Sequence, residues 1–324
     1  MRKWSVLGAG LSFVTAVAAG AQGTANSCAP GTAQDACQMA VDVYQLMSPQ
    51  LGLALAGGNA TLGSGSTLGG PGHFSVGLRA NFFQGDLPDV ETFPTPNVTG
   101  RVLRTLPTTS QLVGLVTADA AVGIFRGVPL PLTNIGGIDL LLSASYVPSF
   151  GSASSNLQIR PDRNLQLGYG VRIGLLQESI VVPGVSFTFL KRDLPTTTML
   201  GTSPALDVSV RDAKVKTSAY RIVASKNLLL FGLAGGIGQD RYSDEANVQG
   251  TANVAGGTSE VIALSQDLTR TNYFVDLSLN FPLFKVIAEL GQVTGGTVDT
   301  YNEFEAGRAD DARTYGSVGF RIAF

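Results

Sequence analysis

The chain of 324 residues is 44% hydrophobic and only 14% charged, with 40 glycines, a net charge of −2 and a mean hydropathy of +0.21. That composition is unusual for a soluble domain, and a net charge near zero gives no support to nucleic-acid binding. No stretch beyond the first 21 residues has the length of a transmembrane helix, so the apolar residues must be dispersed in short pieces.

In chain order, Arg2 and Lys3 precede an apolar run from Trp4 to Ala19, and Ala19-Gly20-Ala21 supplies a small-x-small cleavage pattern. Residues 1–21 therefore read as a secretory signal peptide, with the mature chain starting at Gln22. Cys28 and Cys37 are the two cysteines. In an oxidising compartment they are expected to form a local disulfide, and without other His or Cys nearby no metal site is expected. From Gln34 to Met47, the polar residues Gln34, Asp35, Gln38, Asp42 and Gln45 recur at helical spacing, which predicts a short helix with a narrow wet stripe, ended by Pro49. The glycine-rich stretch from Gly52 to Gly72 lacks the spacing and βαβ context of a dinucleotide site. It reads as a strand-like segment inside a barrel, where glycine permits close backbone approach. Residues 22–72 together are expected to enter or cap a barrel from the periplasmic side.

Residues 73–324 alternate with period two. The clearest case is Leu165 to Gln177, where Leu165, Leu167, Tyr169, Val171, Ile173 and Leu175 oppose Gln166, Gly168, Gly170, Arg172 and Gly174. Similar runs cover 73–84, 112–125, 138–147, 185–192, 215–225, 228–242, 268–281, 284–294 and 313–324. Lys226-Asn227 and Pro282-Leu283 are the tight turns. The prediction is all-β: a transmembrane antiparallel up-and-down barrel of about ten strands, or twelve to fourteen if the apolar pieces at 100–108 and 248–264 count separately. Short links near 126–137, 178–184, 226–227 and 282–284 alternate with long polar links. Barrels of this class keep short turns in the periplasm and long loops outside, so the last strand ends in the periplasm. Phe74, Phe231, Phe281, Phe284 and Phe324 fall near the short-link ends, and Phe82, Tyr146, Tyr242 and Tyr315 near the long-link ends, as two interfacial girdles would.

If the apolar face of each strand meets lipid, the lumen receives Arg79, Asp119, Asp139, Arg172, Arg221, Asp276, Lys285, Glu289 and Arg321. Their near-balanced signs predict ion pairs that hold a narrow barrel. The same face is rich in glycine, which leaves room for an N-terminal insert. His73 is the only histidine and is expected as an interfacial turn residue, so no enzymatic activity and no cofactor are expected. The acidic groups Asp86/Asp89/Glu91, Asp240/Asp244/Glu245 and Glu303/Glu305/Asp310/Asp311 match no calcium-loop spacing and read as solvated loops.

The chain ends Ser317-Val318-Gly319-Phe320-Arg321-Ile322-Ala323-Phe324. Ser317, Gly319, Ile322 and Phe324 carry a pattern that resembles the C-terminal signal read by the barrel-assembly machinery of bacterial outer membranes. The order of parts is also similar to the long-chain fatty-acid channel family, in which an N-terminal segment plugs the lumen. A signal, a helix, Leu53-Ala54-Leu55-Ala56-Gly57-Gly58-Asn59-Ala60, the strand from His73 and the C-terminal signal follow in that order. The family's Asn-Pro-Ala after the plug is replaced by Asn59-Ala60-Thr61, and ten strands fall short of its fourteen. The resemblance implies a monomer in a Gram-negative-type outer membrane, in contact with lipid and lipopolysaccharide. The function expected is a channel or passive transporter for small, hydrophobic solutes gated by the N-terminal segment. The alternative is a structural or surface-interaction barrel with a sealed lumen and partner-binding outer loops.

Overall fold

A computed structural model describes residues 28–151, 156–254 and 256–324; the expected signal peptide at 1–21 lies outside them. Ten long strands run in chain order: β1 (Phe74–Pro88), β2 (Thr108–Phe125), β3 (Gly137–Tyr146), β4 (Leu165–Leu176), β5 (Gly184–Asp193), β6 (Leu206–Leu228), β7 (Phe231–Ala252), β8 (Ile262–Asn280), β9 (Lys285–Thr294) and β10 (Arg313–Ala323). Each pairs antiparallel with the next, and β10 returns to β1, with Ser75 opposite Ala323 and Phe83 opposite Tyr315. Closure leaves no unpaired edge, which a sheet in hydrocarbon requires. The continuous sheet holds thirteen strands among the described residues, more than the ten expected, because Leu157–Pro161, Thr197–Thr202 and Gly257–Thr258 join it outside the circuit.

Polarity divides the barrel into two zones. Along the C-terminal half of β8, Val275, Leu277 and Leu279 are 59, 57 and 42% exposed, while Asp276 and Ser278 between them are 1 and 0% exposed. An apolar exterior over a polar interior is the arrangement of a membrane-spanning strand. Toward the N-terminus of the same strand the outward residues become Ser265, Asp267 and Thr269, and the inward ones include Leu264 and Leu268. β7 inverts in the same way, from outward Phe231, Leu233 and Ile237 to outward Gln239, Arg241, Ser243 and Glu245. A spanning strand needs only about 9–11 residues. β6, β7 and β8 have 23, 22 and 19, so their outer halves rise above the bilayer and enclose an ordinary apolar core. No described helix is long and apolar enough to cross a membrane; the strands do the crossing.

That outer core is built around α1 (Gln34–Ala56), of which 20 of the 23 residues are buried. The helix packs on β6 and β7 through Met39, Val43 and Leu46 against Val208, Val210, Ala246 and Val248. It continues through Pro49 instead of stopping there. Proline removes one helix hydrogen bond and disfavours a helix in isolation. Here the surrounding barrel stabilises the helix, and Gln50 Nε2 donates to Leu46 O at 3.1 Å. The start of the helix has no capping side chain at Ala33; a Cys28–Cys37 disulfide ties its first turn to the chain before it.

The polar stripe on α1, expected to be wet, is dry. Asp35, Gln38 and Asp42 are fully buried and serve as acceptors or donors for two long links. Asp35 accepts from Asn97 N, Val102 N and Arg104 Nη2, and Asp42 from Tyr301 N, Asn302 N and Asn302 Nδ2. These two links also pair with each other, Thr105–Leu106 running parallel to Glu303–Phe304. The helix therefore lies at the long-link end of the barrel, and the chain descends from it toward the short-link end before entering β1. Entry from the periplasmic side is thus reversed. Beyond Ala56 the glycine-rich stretch is irregular rather than strand-like, and the N–H groups of Asn59, Gly63, Gly65 and Leu68 go to side chains of the wall and not to a ladder.

The hairpin between β6 and β7 turns at Leu229-Leu230, with Leu229 at φ +53°, rather than at Lys226-Asn227. Lys226 Nζ instead donates to Ser179 O and Ile180 O of the neighbouring turn, at 2.5 and 2.8 Å. Tyr242 and Tyr315 are 1% exposed and point inward, so neither belongs to the outer girdle. At the short-link end Phe74 stacks on Phe324 at 5.1 Å, and Phe284 meets Phe281 and Phe320 at 4.7 and 5.0 Å.

Candidate functional site in the barrel interior

The interior of the spanning zone is occupied by residues 53–72, and the wall is chemically matched to them. A helix end leaves its last carbonyls without intrahelical partners. Here Asn81 Nδ2 donates to Leu53 O and Ala54 O, both at 3.1 Å. Arg192 Nη1 donates to Leu55 O at 3.2 Å, Arg221 Nη2 to Ala56 O at 2.5 Å and Arg79 Nη1 to Gly57 O at 2.6 Å. Two carboxylates sit among these three guanidinium groups. Asp119 bridges Arg79 and Arg192 at 3.0 and 3.3 Å, and Asp240 faces Arg221 at 3.4 Å. Three cations against two anions leave one positive charge in excess, aimed at the partial negative end of the helix dipole. The wall thus acts as the C-cap of α1.

Below this clamp the polarity reverses, and the wall offers acceptors to backbone N–H groups. Glu289 Oε2 accepts from Asn59 N at 3.2 Å, Asp276 Oδ2 from Gly63 N at 2.8 Å and Ser225 Oγ from Gly65 N at 2.8 Å. Asp139 accepts from Leu68 N at 3.1 Å and from Arg172 at 2.9 and 2.6 Å. Asp276 and Glu289 lie directly opposite each other on β8 and β9, each steadied by an amide of the inserted segment. Inward glycines admit the segment. A Cβ on Gly123 would meet the backbone of Gly70, one on Gly137 or Gly174 would meet Thr67, and one on Gly184 would meet Ser66. A small, partly open cavity in the wall beside Leu62, Arg79 and Asp119 measures about 20 Å³, room for about one water molecule.

The residues expected in the lumen divide into groups. Arg79 with Asp119, Asp139 with Arg172, and Arg221 meet in the contacts above. Asp276 and Glu289 pair with amides rather than with cations. Lys285 is half-buried near the short-link mouth, where its Nζ donates to Asn227 Oδ1 at 2.9 Å, and Arg321 is half-buried on β10. Of the terminal pattern, Ser317 is buried and donates to Asn81 Oδ1 at 3.1 Å, Gly319 faces Leu62, and Phe324 is exposed beside Phe74. His73 is exposed, with Nδ1 3.3 Å from Gly70 O.

Sequence patterning misses Arg192, the last inward residue of β5, and assigns Asp240 and Asp244 to a solvated loop although both are buried inside β7. The signal for them is parity: 240 and 244 share the face of Gly236 and Gly238. Asp86 is also on a strand, 2.8 Å from Arg313. No group of metal-ligating residues occurs among the described residues.

No protein-family model and no curated protein matches this chain. Solved structures similar to it include the toluene transporter TodX of Pseudomonas putida, at 10% identity over 78% of this chain and 88% of that one, with a TM-score of 0.34. The toluene transporter TbuX of Ralstonia pickettii aligns at 11% identity over 92 and 97%, with a TM-score of 0.29. The attachment invasion locus protein Ail of Yersinia pestis aligns at 12% identity over 78 and 99%, with a TM-score of 0.28. The fold is that of an outer-membrane β-barrel. Its closed pairing and its inside-out polarity are the features that define it here, and fold alone assigns no activity.

Outside the membrane, burial pushes the Asp42 carboxyl up to about 6, against the opposing hydrogen bonds from Asn302, Tyr301 and Gln38. Burial likewise pushes Asp244 up to about 8, although Ser48 donates to it. Both groups bind their proton more tightly folded than unfolded. Their contribution is therefore fully present below the usual carboxylate range and is lost as pH rises through about 6 and then about 8. Between the unfolded and folded values each group costs the outer zone about 1.4 kcal/mol per pH unit. Hydrogen exchange in residues 89–107 and 295–312 is expected to accelerate from about pH 4 to about pH 8 and to level off above it, and Asp244→Asn to flatten the upper part of that rise. Exchange slowing with pH, after correction for intrinsic rates, would contradict the assignment.

Proposed function

We propose that the protein is an outer-membrane channel for small polar solutes, held closed by its own residues 53–72 and opened when that segment leaves the lumen. The supporting observation is the carved wall. A sealed barrel fills its interior with its own side chains, whereas here the lower inward positions include Gly123, Gly137, Gly174 and Gly184, with Ser186, Ser225 and Ser278, beside the charged pair Asp139 and Arg172. The volume these small residues leave is taken by a segment that enters from the other end of the barrel. The lining is charged and hydroxylic, which suits a polar solute better than the hydrophobic one expected from the sequence.

A specific observation favours the second reading, a sealed barrel that presents its outer zone to a partner: five consecutive carbonyls of the insert, Leu53 to Gly57, are bonded by the wall. Planar-bilayer conductance of the mature chain, compared with a chain lacking residues 22–72, separates the two. The channel reading expects low conductance from the full chain and steady conductance from the shortened one, with the heat-dependent gel mobility of a folded barrel retained in both. No conductance from a folded shortened barrel would leave the sealed reading standing.

A further inference from the structure

The outer wall carries a pair of cations that make no ion pair among the described residues. On the outward face of three adjacent strands, Lys191 of β5, Ser218 of β6 and Arg241 of β7 lie in one hydrogen-bonded row, with Ser218 opposite both of the others. Strands lie about 4.8 Å apart, so the two backbones that carry the cations are roughly 10 Å apart, and their long side chains can converge over the Ser218 hydroxyl between them. Among the described residues neither cation makes an ion pair. Arg241 touches only a ring face, its guanidinium carbon lying 5.7 Å from the Tyr220 ring centroid.

The height of this row is set by its neighbours. The next outward row toward the short-link end holds Phe189 and Tyr220, whose rings meet at 5.1 Å. The row below that holds Phe187, Ile222 and Ile237. In the other direction come Asp193, Lys216, Ser243 and Asp267, with Lys216 engaged by Glu245 at 3.9 Å; the two carboxylates lie on the water side of the cations, which leaves the side toward the apolar belt open to a phosphate. Lys191 and Arg241 therefore stand where the apolar belt ends at its long-link edge, above an aromatic shelf. Cations at such an edge attract anionic headgroups, and aromatic rings settle at headgroup level.

We propose that Lys191, Ser218 and Arg241 form a binding site for the phosphate of an outer-leaflet lipid, whose acyl chains lie along Phe187, Phe189, Ile222 and Ile237. The argument for a lipid, rather than a soluble anion or a protein, is continuity. The cations cap an apolar strip that acyl chains already cover, and neither is taken up by an ion pair among the described residues. The site is independent of what crosses the lumen.

The test uses the full chain in phosphatidylcholine nanodiscs, with bisphosphorylated lipid A as the probe and native mass spectrometry as the readout. Neutralising a cation near a membrane surface lowers affinity about 5-fold, so Lys191→Gln and Arg241→Gln are each expected to do so and the double variant to lose about 30-fold. Arg163→Gln, an exposed loop cation paired with Asp162, is expected to leave binding unchanged. Should the double variant fail to assemble, as judged by heat-dependent gel mobility, the two single variants carry the test. Equal binding by parent and single variants overturns the proposal, as does equal binding of fully dephosphorylated lipid. Displacement of the lipid by inorganic phosphate at matched concentration would mark a free-anion site and overturn it as well.

Discussion

Asp139→Leu is expected to destabilise the folded barrel by about 3–5 kcal/mol, the cost of leaving a buried charge without its partner. Arg172 is 1% exposed, and Asp139 is its only ion-pair partner among the described residues, through Nε and Nη2. Its Nη1 already lacks a hydrogen bond, so the environment has no spare acceptor to take over. The same substitution strips Leu68 N of its acceptor, loosening the inserted segment together with the wall. The double variant Asp139→Leu/Arg172→Met is expected to recover most of the loss, because replacing a whole buried pair with apolar groups of similar volume is often close to neutral. Urea unfolding in vesicles, read by heat-dependent gel mobility, measures both. A double variant as unstable as the single one would mean that Leu68, not the stranded Arg172, carries the effect.

How much of this was legible in the sequence depends on where the two faces of a strand differ. β4, β9 and β10 cross the belt with one apolar face, so their period-two signal is plain, and their bounds lie within a few residues of the alternating runs at 165–177, 284–294 and 313–324. The outer half of β7 gives no such signal. Past Tyr242, where the expected run ends, Ser243 and Glu245 face water while Asp244 faces the interior, and with polar residues on both faces the segment reads as loop. The helix beyond Pro49 was hidden for a different reason. Its stability comes from barrel residues more than 150 positions away, such as Val208 and Val248, and no local window contains them. The direction of the insert was hidden too: Asp35 and Asp42 resemble a solvated stripe until the links at 97–104 and 301–302 are seen to end on them. Glycine on the inward face was informative in advance, since it marked a volume to be filled, though not from which end.

The inverted polarity of the two zones follows from one physical requirement met twice. In the membrane the exterior must be apolar, so the interior can be polar provided every buried group has a partner. Residues 57–72 supply many of those partners through their backbone. Above the membrane the exterior must be polar, so the interior is apolar and needs a filler, which α1 supplies. A single N-terminal segment therefore satisfies both halves of the barrel by two different chemistries, side-chain packing above and main-chain hydrogen bonding below.

That division predicts that the lower half can be emptied without unfolding the upper one. Gly123→Val is expected to expel residues 65–72 and to open the lower lumen. The new Cβ would occupy the space of the Gly70 backbone, its carbonyl oxygen, carbonyl carbon and nitrogen alike, and a main chain cannot swing away as a side chain can. Gly123 itself lies in β2 without a positive φ, at the edge of an irregularity in the pairing before Phe125, and valine is favoured in strands, so the wall should tolerate the change while the insert does not. Overpacking of this kind costs about 1–3 kcal/mol, comparable with the one or two hydrogen bonds that hold each turn of the insert below the clamp. Gly235→Val makes the same change on the outward face, where the nearest atom to the new Cβ is 3.4 Å away, and is expected to have no effect. Labelling of Ser66→Cys by a small water-soluble thiol reagent is expected to rise in the Gly123→Val background and not in the Gly235→Val background, with conductance rising in parallel. Ser66→Cys as protected as in the parent, with the barrel folded and silent, would show that the wall yields before the insert does.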